Sequence, residues 1–220
     1  MNILIACEES QRVCSAFRAK GHTAYSCDIE SAGGQPCWHI KGDVIPLLDG
    51  RCKFTTQDGQ EHEITGKWDL IIAHPPCTYL TVTGNRWFDT GKYGKAAWER
   101  MTERNKAIAF FYRFVMADCD RVAIENPIGV MSTAYRSADQ TVQPYMFGDP
   151  FEKKTCLWLK GLPLLKPTNE VEPPARKQFA SGKTMPEWYA DLFRLPKDER
   201  SKERSRTFPG FANAMAQQWG

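Results

Sequence analysis

The stretch Trp68 to Cys77 constrains the fold more than any other part of the chain. Trp68, Leu70, Ile71, Ile72 and Ala73 form a short apolar run that stops at His74-Pro75-Pro76. A run of that length bounded by prolines reads as a buried strand that cannot continue. Cys77 is thereby presented at the strand's carboxyl end. In an open α/β sheet ligands bind at that edge, so a cysteine fixed on a rigid turn there is better placed for chemistry than for packing. The following Thr78 to Arg86 mixes hydroxyls with Gly84 and reads as a polar loop over the strand end.

The same pattern recurs along the chain. Asn2 to Cys7 reads as a first strand, Ser10 to Lys20 as a helix with Val13, Cys14, Ala16 and Phe17 on one side, and His22 to Cys27 as a second strand. Together they make a β-α-β unit of the length a parallel crossover needs. Ser31 to Ile40 reads as a Gly/Pro loop, and Arg51 to Gly66 as a hairpin inserted around Asp58-Gly59. Lys95 to Ala117 has helical periodicity, with Trp98, Met101, Ile108, Phe111, Phe114 and Val115 as apolar positions predicted to face the core. A strand at Arg121 to Ile124 ends in Glu125-Asn126-Pro127, and another is predicted at Thr155 to Leu159. Two proline-bearing tips in one sheet converge on the same edge.

After Leu162 prolines and charges predominate, which predicts loops, one short helix near Glu187 to Phe193 and a closing helix over Phe211 to Trp219. The expected division is a core of 1–161, an irregular appendage of 162–204 and a terminal helix in 205–220. The chain has 42% hydrophobic residues over 220 positions, enough for one good-sized core. It has no apolar run long enough for a membrane span, and its amino terminus does not read as a secretory signal. Eight cysteines without a CxxC pair argue against a zinc knuckle or a disulfide scaffold and predict a reduced, cytoplasmic protein. The net charge of +3 decides nothing, but Arg194, Lys197, Arg200, Lys202, Arg204 and Arg206 crowd one segment. On charge alone that segment is a solvated face.

A cysteine and a glutamate at neighbouring strand ends suit covalent catalysis assisted by a general acid. Asp28, closing the second strand, either meets ribose hydroxyls or caps a turn. Asp43 likewise either accepts a hydrogen bond from a ligand or caps the segment after it.

In order and spacing, these tips resemble the DNA (cytosine-5) methyltransferase family. Pro75, Pro76, Cys77, Leu80, Thr81, Gly84 and Arg86 fall where the family has Pro-Pro-Cys, an apolar residue, a hydroxyl, a glycine and a basic residue. Glu125-Asn126 falls where it has Glu-Asn-Val. The resemblance implies a Rossmann-like S-adenosylmethionine-dependent methyltransferase fold, α/β with a mostly parallel sheet, and a small target-recognition appendage. It implies that Cys77 adds to C6 of cytosine, that Glu125 assists at N3 and the exocyclic amine, and that C5 takes the methyl group. Phe147-Gly148-x-Pro150-x-x-Lys153-Lys154 resembles a further segment with lysines in place of arginines, and gives Lys154 a role at the base.

For S-adenosylmethionine the resemblance implies a site made by Ala6, Cys7, Glu8, Glu9, Ser10, Asp28, Ile29, Asp43, Val44 and Pro75. The chain departs from the family here, since Ala6 to Gln11 replaces a glycine-bearing loop. The expectation is that Glu8, Glu9 and Ser10 hold the cofactor's ammonium group with their side chains. DNA would be met by Thr81, Thr83 and Arg86 in the loop and by Arg200, Lys202 and Arg204 in the appendage, with a partner protein supplying further recognition surface. Two other readings stay open: a related methyltransferase acting on a free nucleotide or an amino group, and a catalytically silent DNA-binding protein on the same fold.

Overall fold

In a computed structural model of the chain, the backbone of residues 1–220 is described, with every side chain except those at 197, 198 and 201. The elements are β1 (Asn2–Ala6), α1 (Arg12–Ala19), β2 (Thr23–Asp28), β3 (His39–Lys41), β4 (Cys52–Thr55), β5 (Glu61–Ile64), β6 (Leu70–Ala73), α2 (Thr90–Tyr93), α3 (Lys95–Val115), β7 (Val122–Pro127), α4 (Met131–Ala134), β8 (Gln140–Val142), β9 (Thr155–Lys160), β10 (Arg176–Gln178), β11 (Thr184–Pro186), α5 (Glu187–Asp191), α6 (Lys197–Ser205) and α7 (Pro209–Trp219).

Seven strands form one sheet in the order β3-β2-β1-β6-β7-β9-β8. β3, β2, β1, β6 and β7 pair in parallel, and β9 runs antiparallel to both of its neighbours. The chain starts in the middle of this sheet and winds outward in both directions. The order therefore reverses between β1 and β6, which opens a crevice at their carboxyl ends. This is an α/β architecture with a mostly parallel sheet, as the strand runs predicted, in the Rossmann-like form that the resemblance implied.

Strand alternation divides the core in two. Leu4, Ala6, Tyr25, Cys27, Ile71, Ala73, Val122 and Ile124 pack on one face against Phe111 and Phe114 of α3 and Phe54 and Ile64 of the β4-β5 hairpin. Ile3, Ile5, Ala24, Leu70, Ile72 and Ala123 pack on the other against Val13, Cys14 and Phe17 of α1 and Phe211, Met215 and Trp219 of α7. Burying each of these large side chains contributes about 1.5–3 kcal/mol, so both helical layers are held firmly to the sheet.

Four expectations need correction. Trp98 is 62% exposed and Met101 38%, because the first half of α3 projects beyond the sheet that buries Phe111 and Phe114. β3 lies inside the predicted Gly/Pro loop, and β8 in a segment without a clear pattern; both are three-residue strands at the ends of the sheet, too short and polar to show a run. The predicted loop after Cys77 contains a 3-10 helix at Val82–Phe88. α6 forms where loop is expected, and its sequence offers no apolar stripe to signal a helix. Among the described residues, no helix is long and apolar enough to cross a membrane.

Candidate active site

The parallel register builds the site as a row. Ala6 pairs with Cys27 on one side and Ala73 on the other, and Ala73 pairs with Ile124. The next residues after these partners are Asp28, Cys7, His74 and Glu125, which stand side by side along the carboxyl edge. The ladder extends one step further through the His74 amide, which donates to the Ala6 carbonyl at 2.9 Å.

At the β1 end the chain turns sharply without glycine. Cys7 has φ 59° and Gln11 φ 56°, so two L-residues hold the left-handed conformation. That conformation costs roughly 1–2 kcal/mol at a non-glycine residue. Surrounding bonds hold it in place: the amides of Cys7 and Glu8 both donate to the Cys27 carbonyl, at 2.8 and 3.2 Å. The Gln11 amide nitrogen donates to the Ser26 hydroxyl at 3.1 Å and to the Gln35 carbonyl at 3.0 Å.

Glu8 is 4% exposed. Its oxygens accept from the amides of Val13 at 2.6 Å and Cys14 at 3.1 Å, capping α1 where Gln11 supplies no side-chain cap. Burial raises its carboxyl above the ordinary range, while His74 and the two amides oppose that shift. Its expected grip on an ammonium group is corrected by this geometry, because both oxygens are committed to the helix. Glu9 remains available in part: Oε1 lies 3.2 Å from Lys202 Nζ, and its carbonyl accepts from Gly33 at 2.7 Å. A Cβ at Gly33 would come within 3.0 Å of Glu9 Oε2, so glycine is what lets the two loops close. Ser10 is half-buried beside them, and Ala6 is fully buried.

Asp28 is half-buried at the end of β2; burial raises its carboxyl, and one oxygen accepts from the Glu30 amide at 2.9 Å. Ile29 beside it is 74% exposed, a large apolar side chain left in water at the crevice. Asp43 is exposed and accepts from the Ile45 amide at 3.0 Å, whereas Val44 is 4% exposed and belongs to the core. Pro75 is buried, and its carbonyl accepts from Asn126 Nδ2 at 2.7 Å.

That bond ties the β6 tip to the β7 tip, and the loops beyond them are joined as well. Val130 donates to the Leu80 carbonyl at 2.8 Å and Val82 to the Ile128 carbonyl at 3.2 Å. Thr81 bridges Gly129 here, where any Cβ would collide with the Leu80 carbonyl. Cys77 and Glu125 are therefore carried on one cross-linked unit. Burial first, and then the Glu125 charge, hold the Cys77 thiol above its ordinary range; Lys153 and Arg204 pull it down. Burial alone would raise Glu125, but His74, Lys153 and Thr155 outweigh it and hold the carboxyl below the usual range.

His74 carries no signal in the sequence beyond its place before the prolines. Its Nδ1 lies 3.1 Å from Glu125 Oε2, with both side chains close to nine-tenths buried. The signal that could have found it is the parallel register, which sequence alone does not give. The expected role of Lys154 also needs correction. Lys153 is half-buried and its charge bears on both Cys77 and Glu125, while Lys154 is exposed. Lys153 Nζ also donates to the Arg206 carbonyl at 3.3 Å, which holds that side chain against the site.

Thr81 caps the 3-10 helix, accepting from the Thr83 amide; Thr83 and Arg86 are exposed, and Arg86 lies over the Trp87 ring. From α3, Arg100 donates to the Thr78 carbonyl at 3.2 Å and Arg104 to the Tyr79 carbonyl at 2.8 Å, fixing the start of the loop to the helix. In the appendage, Arg200 lies over Phe193 and Arg204 over Tyr189. Lys202 reaches the β1 loop through Glu9, so α6 sits against the site instead of standing apart from it.

No family model and no curated protein matches the chain. Among solved structures, an E. coli prophage-encoded protein provisionally named a DNA modification methyltransferase is similar at 14% identity with a TM-score of 0.44. The similarity covers 90% of this chain and 56% of that one, so this chain spans little more than half its length.

Proposed function

We propose that the protein is a DNA methyltransferase that transfers a methyl group from S-adenosylmethionine to C5 of cytosine through a covalent Cys77 adduct. The observation that carries this reading is the Cys77–Glu125 unit at the switch-point edge. Burial and then the Glu125 charge keep the proton on sulfur, while His74, Lys153 and Thr155 keep the carboxylate ionised. Moving that one proton from Sγ to Glu125 yields a thiolate and a carboxylic acid, the two forms the chemistry needs. The thiolate adds at C6 and the acid protonates N3, so that C5 becomes an enamine carbon. After C5 has taken the methyl group, water as base removes the C5 hydrogen, that C–H pair forms the C5–C6 double bond as the S–C6 bond breaks to return the thiolate, and Glu125 takes back the N3 proton. Lys153 favours the thiolate that attacks and, once the acid has given its proton to N3, the carboxylate that remains.

The residues of the crevice fit the methyl donor. The acidic Asp28 suits ribose hydroxyls, the exposed Ile29 suits an adenine face, and the tight Cys7–Gln11 turn does the work of the absent glycines. Glu9 suits an ammonium group, which Lys202 Nζ already provides in the structure. When bound, the donor supplies an electrophilic methyl group; the protein's part is to hold it at the β1–β6 crevice and exclude water. Thr81, Thr83, Arg86, Arg200 and Arg204 are the proposed contacts to DNA. The target base has to leave the stack to reach Cys77, a step that a single-stranded or distorted site makes less costly.

The test is product analysis. The protein is incubated with S-adenosylmethionine and a cytosine-containing duplex, single strand or nucleotide, and the products are hydrolysed to nucleosides. 5-Methyldeoxycytidine that disappears with Cys77→Ser supports the reading. An N-methylated base that persists with Cys77→Ser, or DNA binding without any transfer, overturns it.

A further inference from the structure

His74 is not required to bring Cys77 and Glu125 together, since Asn126 and the paired loops do that. Yet its ring is buried against Glu125. The backbone is locked into the parallel ladder through Ala6, Nδ1 contacts Glu125 Oε2 at 3.1 Å, and Nε2 is buried with no partner among the described residues. A hydrogen on Nε2 there would be a buried donor without an acceptor, at a cost of about 1–3 kcal/mol. The hydrogen therefore belongs on Nδ1, donating to Glu125. The charged groups bearing on this pair come from five segments. They are Glu125 on β7, Glu8 on the loop after β1, Lys153 before β9, and Cys77 with Arg204 of α6 beyond it.

A carboxyl group has two oxygens, and only the one that carries the hydrogen can protonate a base. If either oxygen could carry it, half of the acid form would point its hydrogen away from N3. We propose that His74 is a positioning residue for Glu125: by holding Oε2 through Nδ1–H, it leaves Oε1 as the oxygen that delivers the proton to the target base. The inference rests on Cys77 and Glu125 being the reacting pair. It also explains why a histidine, and no smaller residue, precedes the prolines. The ring fills the space between two buried carboxylates and gives one of them a directional donor.

The test uses the full chain with His74→Gln, which keeps an amide donor, and His74→Ala, which removes it. The Glu125 carboxyl is followed by 13C NMR against pH, and the rate of covalent adduct formation on 5-fluorocytosine DNA is measured over the same range. The expected result is that the Glu125 titration moves up in His74→Ala, because burial is left without its main opponent, and returns part of the way in His74→Gln. Adduct formation per molecule of Glu125 in the acid form falls about twofold in His74→Ala, recovers in part in His74→Gln, and DNA affinity stays within twofold. A Glu125 titration and rate profile unchanged in His74→Ala overturn the proposal. If His74→Ala does not fold, His74→Leu, which fills the space but offers no donor, carries the test, with a titration displaced upward from the native one expected and coincidence with it decisive against. If the native protein forms no adduct at all, the reading of Cys77 fails, while the NMR titration still decides whether His74 controls Glu125.

Discussion

The side-chain amide of Asn126 donates to the Pro75 carbonyl at 2.7 Å, and this bond joins the strand tip that bears Cys77 to the one that bears Glu125. Both partners are buried, so the carbonyl has no water to fall back on. Asn126→Ala should cost about 1–3 kcal/mol, read as a lower urea midpoint with an unchanged slope. Gly129→Ala should also destabilise, because its methyl group meets the Leu80 carbonyl, a backbone atom that cannot swing away.

Glu8 and Glu9 are adjacent in sequence but differ in use. Glu8→Ala removes the acceptor for two amides at the start of α1 and should cost about 1–2 kcal/mol. Glu9→Ala breaks only a partly exposed pair with Lys202 and should change stability by less than about 0.5 kcal/mol. Chemical denaturation of the two variants side by side checks this. Equal losses would contradict the division of roles.

The left-handed turn at Cys7 sets a limit on what can replace it. Cys7→Gly relieves the backbone and should keep methyl-donor binding near the native value, whereas Cys7→Val forces a β-branched residue into a region it avoids. The expected loss for Cys7→Val is about 1–2 kcal/mol, or roughly tenfold in Kd, measured by calorimetric titration with S-adenosylmethionine. Tight binding by Cys7→Val would show that this turn does not shape the crevice.

Two opposite pKa shifts give two pH dependences. Glu125 ionises below the ordinary glutamate range in the folded protein, so its contribution to stability is complete above that range and disappears as pH falls through the lower folded value. Glu125→Gln should therefore flatten the acid limb of the stability profile. The Cys77 thiol is raised, so the one proton the pair shares is kept through neutral pH, and adduct formation should fall only as pH rises above the ordinary cysteine range. Lys153→Ala should move that fall to still higher pH, while Lys154→Ala should leave it in place. Stopped-flow rates from pH 6 to about 10 separate the two lysines.

Much of the fold was legible because buried strands announce themselves: the runs ending at Cys7, Cys27, Ala73 and Ile124 each became a strand of the central sheet. Cys77 and Glu125 could be singled out because prolines and polar tips mark where such strands stop. What could not be read depends on pairing. His74 meets Glu125 only through the β6-β7 register, and Lys153 rather than Lys154 bears on the site only through the path of the segment before β9. The shape of the turn that replaces the glycine-bearing loop was not legible either, since nothing in the residues Cys7 and Gln11 reveals a positive φ. Trp98 was misplaced for a related reason: periodicity finds an apolar face but not where the sheet beneath it ends.

The central claim is that Cys77 makes a covalent bond to the base that is methylated. The most direct measurement is the intact mass of the protein after incubation with S-adenosylmethionine and a duplex containing 5-fluorocytosine, whose C5 fluorine blocks release of the adduct. The account predicts a stable complex with the mass of protein, strand and one transferred methyl group, mapped to Cys77 and absent in Cys77→Ser. Methylated DNA recovered free of protein, in equal yield from native protein and Cys77→Ser, would contradict it.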